Sequence, residues 1–221
     1  MNLPASLFGT AWHWVSLALV VPLLYQACRR ASWARLGDGA QLNLLLGFAV
    51  GLALMWSMRA GVKPGLNLHL LGAMAATLCL GPRLALLAMA LALSAITLNG
   101  ALDWRAWPLN FLLMAFAPVV VAHGVRCWVE RHLPAHFFVF VFVTGFAGAA
   151  LTIMLQGVLA CLVLALAGVY GAGFLISDYL PYFLLLGFSE AWLSGALITL
   201  MVVYRPEWVA AFDDRRYLLN K

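Results

Sequence analysis

Charge is scarce in this chain. Asp, Glu, Lys and Arg make up 10% of its 221 residues, 65% are hydrophobic, and the mean hydropathy is +0.98. A soluble domain of this size has too little interior to hide so much apolar side chain, so lipid must be the solvent for most of it. Cysteine is sparse too. Cys28, Cys79, Cys127 and Cys161 lie in or at the ends of apolar segments without a close pair, so neither a disulfide framework nor a zinc motif is expected. There is no phosphate-cradling Gly-Lys-Thr loop and no polar stretch large enough for an ATPase, so nucleotide hydrolysis is excluded as the chain's own activity. No nucleophile–base set points to an enzyme. Low-complexity segments and internal repeats are lacking. The N-terminus has no basic stretch before its first charge, Arg29, and no cleavable secretory signal is expected.

What is present is a series of apolar runs. They cover about Ala11 to Cys28, Leu42 to Met58, Asn67 to Leu80, Arg83 to Leu98, Trp107 to Val129, His136 to Ala167 and Tyr179 to Tyr204. The expected fold is therefore an all-α polytopic integral membrane protein of about seven transmembrane helices, a single permease domain over residues 1–221. The third run is short. A bilayer core of about 30 Å asks for roughly 20 helical residues, and only 15 lie between Leu66 and Leu80. Pro64-Gly65 and Gly81-Pro82 punctuate its ends. The sixth run is long: its 32 residues reach about 48 Å as a helix. It can tilt, kink near Gly145 or Gly148, or form two segments, so eight spans is the alternative.

Basic residues discriminate between the two counts. With seven spans and the N-terminus outside, the inner segments hold Arg29, Arg30, Arg35, Arg83, Arg126, Arg131, Arg205, Arg215, Arg216 and Lys221, and the outer ones Arg59, Lys63 and Arg105. That is ten against three; splitting the sixth run gives six against seven. The positive-inside rule favours seven spans, N-terminus out and C-terminus in. The same bias accounts for the net charge of +5 without a nucleic-acid partner.

Polar side chains within apolar segments are candidate functional groups. His69 lies near the outer end of the short third run, where an imidazole can ligate a metal or bond a neighbouring helix. Glu190 lies deep in the last run, among the small residues of Gly187-Phe188-Ser189-Glu190-Ala191, with a structural role or metal ligation open to it. Asn67 and Asn110 stand at the outer ends of the third and fifth runs, to cap a helix or lean into a site. Thr152 and Gln156 read as helix–helix hydrogen bonds. His13, beside Trp12 and Trp14, reads as interfacial, as do Trp104 and Trp107. His123, His132 and His136 fall on the inner side. Met55, Met58, Met74 and Met114 admit a soft-metal reading, though methionine is also common filler.

The block Pro64-Gly65-Leu66-Asn67-Leu68-His69-Leu70-Leu71-Gly72-Ala73, continuing to Leu80-Gly81-Pro82, resembles the cobalt/nickel substrate-capture subunits of energy-coupling-factor transporters. Those carry a Pro-Gly, then Gly-His-Leu-Leu-Gly-Gly and Leu-Gly-Pro at the same spacing. Trp107-Pro108-Leu109-Asn110 resembles their Gly-Ala-Asn segment, Gly187 to Ala191 their Gly-Glu-Gly, and Met1-Asn2-Leu3-Pro4 their Met-His-Ile-Pro opening. The resemblance implies a square-planar site for nickel, cobalt or copper, built from the N-terminal amine of Met1, the backbone nitrogen and side chain of residue 2, and the imidazole of His69. Asn67, Asn110 and Glu190 would support it or line the pathway. It also implies an inner-membrane location, a separate coupling membrane subunit and cytoplasmic ATPases. The second-position histidine is Asn2 in this chain, and His13 is a conceivable substitute. Two other readings stay open: an accessory subunit that keeps the fold without the metal, and a carrier acting alone with Glu190 as its ion site.

Overall fold

The computed structural model describes residues 2–58, 60–63 and 66–219. Seven apolar helical segments follow one another: α1 (Thr10–Arg30), α2 (Gly39–Ser57), α3 (Ala73–Leu80), α4 (Pro82–Leu98), α5 (Trp104–His132), α6 (Val139–Leu166) and α7 (Tyr182–Tyr204). Five of them, all but α3 and α4, are long and apolar enough to cross a membrane. The chain is a multi-pass, mostly helical membrane protein. Large apolar side chains on the outer helices face outward, among them Val21, Val50, Val158 and Leu185, as a lipid solvent allows.

The third run departs from expectation. Helix starts only at Ala73; Leu66–Leu68 is instead strand β2, antiparallel to β1 (Ala60–Lys63), with Ala60 opposite Leu68 and Gly61 opposite Asn67. Pro64 and Gly65, between the strands, lie outside the described residues. A Pro-Gly pair between two short apolar stretches is a turn signal, and Gly72 at φ +69° ends the extended segment in a left-handed conformation suited to glycine. The last helix also starts later than expected, at Tyr182, after a short helical segment over 172–179.

The long sixth run is one helix. Its first nine residues, Val139–Ala147, are π-wound, and no break occurs at Gly145 or Gly148. A second π turn, Leu112–Phe116, lies in α5, where the Ala117 N–H reaches back to the Leu112 carbonyl. Pro118 follows, and its missing N–H and ring disrupt the ordinary bonding of the turn before it, so the widened turn stands where the strain arises.

The centre of the molecule is α3. All eight of its residues are buried, as expected of a helix apolar all round. Eight residues are too few for a helix to be stable alone, and its ends are satisfied by other parts of the chain. Glu190 of α7 accepts hydrogen bonds from the Leu71 and Gly72 N–H groups, just before the first turn. At the far end Arg35 donates to the Leu80 carbonyl at 3.2 Å. The Ala210 and Ala211 N–H groups pair with the Cys79 and Leu78 carbonyls. A carboxyl acceptor at the N-terminus and a cation at the C-terminus match the helix dipole.

Packing around α3 is close. Phe183 of α7 lies against Gly157 of α6, and Phe146 of α6 against Gly195 of α7; a Cβ on either glycine would overlap the facing ring. Small residues thus bring the two helices together. Polar contacts gather at two ends. Arg83 bonds the Arg30 carbonyl, Gln41 bonds Arg35 and the Glu207 carbonyl, and Arg216 meets Glu130. At the other end Asn110 meets Leu3, and the Lys63 ammonium lies 3.9 Å from the Phe174 ring centre.

Candidate metal centre

Two clamps organise the region around the expected ligands. The first holds the His69 loop. His69 is not on a helix, as expected, but in the extended segment between β2 and α3. It is buried, its ring 6.0 Å from that of Trp56. Its Nδ1 lies 2.9 Å from the Leu70 carbonyl oxygen; when Nδ1 carries the proton for that bond, Nε2 holds the lone pair, the form in which imidazole ligates a metal. The Trp56 indole N–H donates to the Leu71 carbonyl at 3.3 Å. The Leu71 N–H donates to Glu190 Oε2 at 2.7 Å and the Gly72 N–H to Oε1 at 2.6 Å. Ser194, one turn along α7, donates to Oε1 at 3.0 Å. Glu190 is 1% exposed, and both of its oxygens accept hydrogen bonds. It works on the backbone that carries His69.

The second clamp holds the N-terminal segment. The Leu3 N–H donates to Asn110 Oδ1, and Asn110 Nδ2 donates back to the Leu3 carbonyl, each at 2.9 Å. A further bond from Nδ2 to the Ala106 carbonyl fixes the amide on its own helix. Asn110 thus lies inside α5 and mimics a β-strand partner; it does not cap the helix. The adjacent residue, Asn2, is 2% exposed, and among the described residues neither Oδ1 nor Nδ2 has a hydrogen-bond partner. A buried amide left unpaired costs about 1–3 kcal/mol. Met1 lies outside the described residues.

The remaining candidates are placed elsewhere. Asn67 sits in β2 beside Gly61 and caps no helix. His13 lines a recess of about 760 Å³ with Thr10, Asp103 and Trp104. His132 is exposed and bonded to the Trp128 carbonyl. Thr152 bonds the Gly148 carbonyl of its own helix, not a neighbouring one, and among the described residues Gln156 Nε2 has no partner. Sequence reasoning missed Trp56 and Ser194. The spacing of Ser194, four residues after Glu190 on one helix face, is the signal that could have found it. Among the described residues, no group of three His, Cys, Asp or Glu side chains could hold a metal.

The CbiM profile, described as the cobalt uptake substrate-specific transmembrane region, matches residues 2–208. A crystal structure described as a truncated transition metal transporter has a TM-score of 0.80 at 20% identity, covering 92% of this chain and 99% of that one. A second, described as a transition metal transporter, has a TM-score of 0.77 at 20% identity, covering 91% and 92%. At such identity the likeness shows the fold alone. No curated protein matches the chain in sequence. The profile runs from Asn2, through both clamps, to Trp208, and the chain belongs to the CbiM family of cobalt uptake substrate-specific transmembrane regions, a metal-transport component and not an enzyme.

Proposed function

We propose that this chain is the substrate-capture permease of an energy-coupling-factor importer, residues 1–221 forming one transmembrane domain in the inner membrane. Its cargo is cobalt or nickel, with copper the third candidate. The Met1 amine, Asn2 and His69 bind the ion on the outward side, and the C-terminus faces the cytoplasm. The observation that carries this reading is the pair of clamps: Asn110 fixes Leu3, and Glu190 fixes Leu71 and Gly72. Each spends a buried polar group on holding the backbone beside an expected ligand, the preorganisation a metal site needs. Asn67 belongs to the hairpin leading into the loop. Ten basic residues against three support the orientation.

The partners are a coupling membrane subunit and cytoplasmic ATPases. The feature in favour of a membrane partner is an apolar groove of about 630 Å³ between α2 and α7, lined by Asn43, Gly47 and Gly51 and floored by Gly72 and Ser194. Small residues at such spacing admit a second helix closely.

Metal analysis of the purified protein, with and without one residue added before Met1, tests the reading. The native form should carry about one ion, and displacing the amine should abolish binding, since ligand loss exceeds the 10- to 100-fold typical of supporting residues. Asn2 in place of an imidazole favours a second reading, an accessory subunit without metal, which would bind none in either form. A carrier with Glu190 as its ion site has less support, because both carboxylate oxygens are committed to hydrogen bonds.

A further inference from the structure

We propose that the recess between the start of α1 and the start of α5 holds the headgroup of a zwitterionic phospholipid, one that pairs a phosphate with an ammonium. The recess has a volume of about 760 Å³, within the range of small-molecule sites. Its lining changes character along α1. Thr10, His13 and Leu17 line it at spacings of three and four residues, so they share one helix face. That face passes from polar to apolar over about 10 Å. Val21, four residues further, is 59% exposed and continues the apolar part. A headgroup suits the polar end, and an acyl chain suits the face below it. Trp14 and Trp104 flank the recess and are 67% and 54% exposed, as in the aromatic girdle that proteins place at the level of lipid headgroups.

The charges select the headgroup. Asp103 and Arg105 both line the recess, and Asp103 Oδ1 accepts from the Arg105 N–H at 3.0 Å. Among the described residues neither side chain has an ion-pair partner. A phosphate matches the guanidinium. An ammonium matches the carboxylate and the faces of the two indoles. An anionic headgroup without the ammonium would leave Asp103 as a repulsion. His13 adds a donor. Its Nδ1 is buried without a partner among the described residues, and a buried lone pair is tolerated better than a buried N–H, so the ring proton belongs on Nε2. A metal is the poorer occupant, because among the described residues no three side-chain ligands gather here. The recess is completed by Ala5, Ser6 and Phe8, in the segment that follows Leu3 and its Asn110 clamp, so a bound headgroup braces that segment.

Native mass spectrometry of the full chain released from detergent micelles tests this, with phosphatidylethanolamine or phosphatidylglycerol of identical acyl chains added. The proteins are wild type, Asp103→Asn, Arg105→Gln and, as a control at another exposed arginine, Arg131→Gln. Asn caps a helix as Asp does and Arg105 is exposed, so the variants keep the fold, which melting without added lipid checks. Wild type should retain phosphatidylethanolamine about fivefold more strongly than phosphatidylglycerol. Asp103→Asn should remove that preference. Arg105→Gln should weaken both lipids by about fivefold, and Arg131→Gln should match wild type. Equal retention of the two lipids by wild type, or a preference that survives Asp103→Asn, would overturn the proposal. So would a wild-type dimer lost in Arg105→Gln, which would give the recess to a second copy of the chain. Phosphatidylethanolamine should also raise the melting temperature by mass action, while free phosphoethanolamine leaves it unchanged; an equal rise from both would overturn the lipid as the source.

Discussion

Asn110 and Glu190 act at the scale of single residues by the same device, a buried side chain bonded to two backbone groups of a segment distant in sequence. Replacing Asn110 with Leu keeps the branched shape, removes the amide and leaves the Leu3 N–H and carbonyl unpaired, so it should lower stability by about 1–3 kcal/mol for each group left so, read as a fall in the melting temperature of purified protein. Glu190→Gln turns an acceptor into a donor facing a backbone N–H. It should destabilise the protein by a similar amount and weaken metal binding by about tenfold. Unchanged stability with lost transport would instead assign Glu190 to an ion pathway. Both residues were visible in the sequence as polar groups in apolar runs. Their targets were not, because the hydrogen bonds join residues 107 and 118 or 119 positions apart, and one sequence carries no record of such pairing. Asn2 was legible only through the family resemblance.

At the scale of elements, the buried helix α3 is the part that the rest of the chain is arranged to hold. Arg35 neutralises its C-terminal end, so Arg35→Met should cost about 1–2 kcal/mol by loss of a charge-assisted bond and a favourable dipole contact, measured by thermal unfolding. Gly72 sits at φ +69°, and a Cβ there would lie 2.6 Å from Leu52 Cδ2. Gly72→Ala should therefore cost about 1–2 kcal/mol in backbone strain alone, more with the clash, and shift the His69 loop. Six of the seven helices were readable from hydropathy, which the bilayer imposes directly. The third was read as a helix from Asn67 because apolar composition does not separate a short helix from a strand and a loop. The Pro-Gly pair and the later glycine were the local signals that mattered. The continuity of α6 through Gly145 and Gly148 was legible only through the basic-residue count, and its π winding was not, since a π-wound stretch leaves no mark in a hydrophobic pattern.

At the scale of the whole molecule, two gathered ends of polar contacts accompany the alternation of the helices. Arg30, Arg35, Arg83, Glu130, Glu207 and Arg216 interact at one, and Leu3, Asn110, Lys63 and Phe174 at the other. The proposed orientation predicts that a cysteine replacing Asp103 is labelled from outside and one replacing Asp214 only from the cytoplasm, in a background without Cys28; labelling of both from one side would break the seven-span alternation. The central claim is that His69, in its clamped loop, is the side chain on which metal capture depends. Mass-spectrometric metal content of purified wild type, His69→Ala and His132→Ala tests it most directly. The account predicts about one cobalt or nickel ion in wild type and in His132→Ala, and retention weakened by more than about a hundredfold in His69→Ala; equal metal in all three would contradict it.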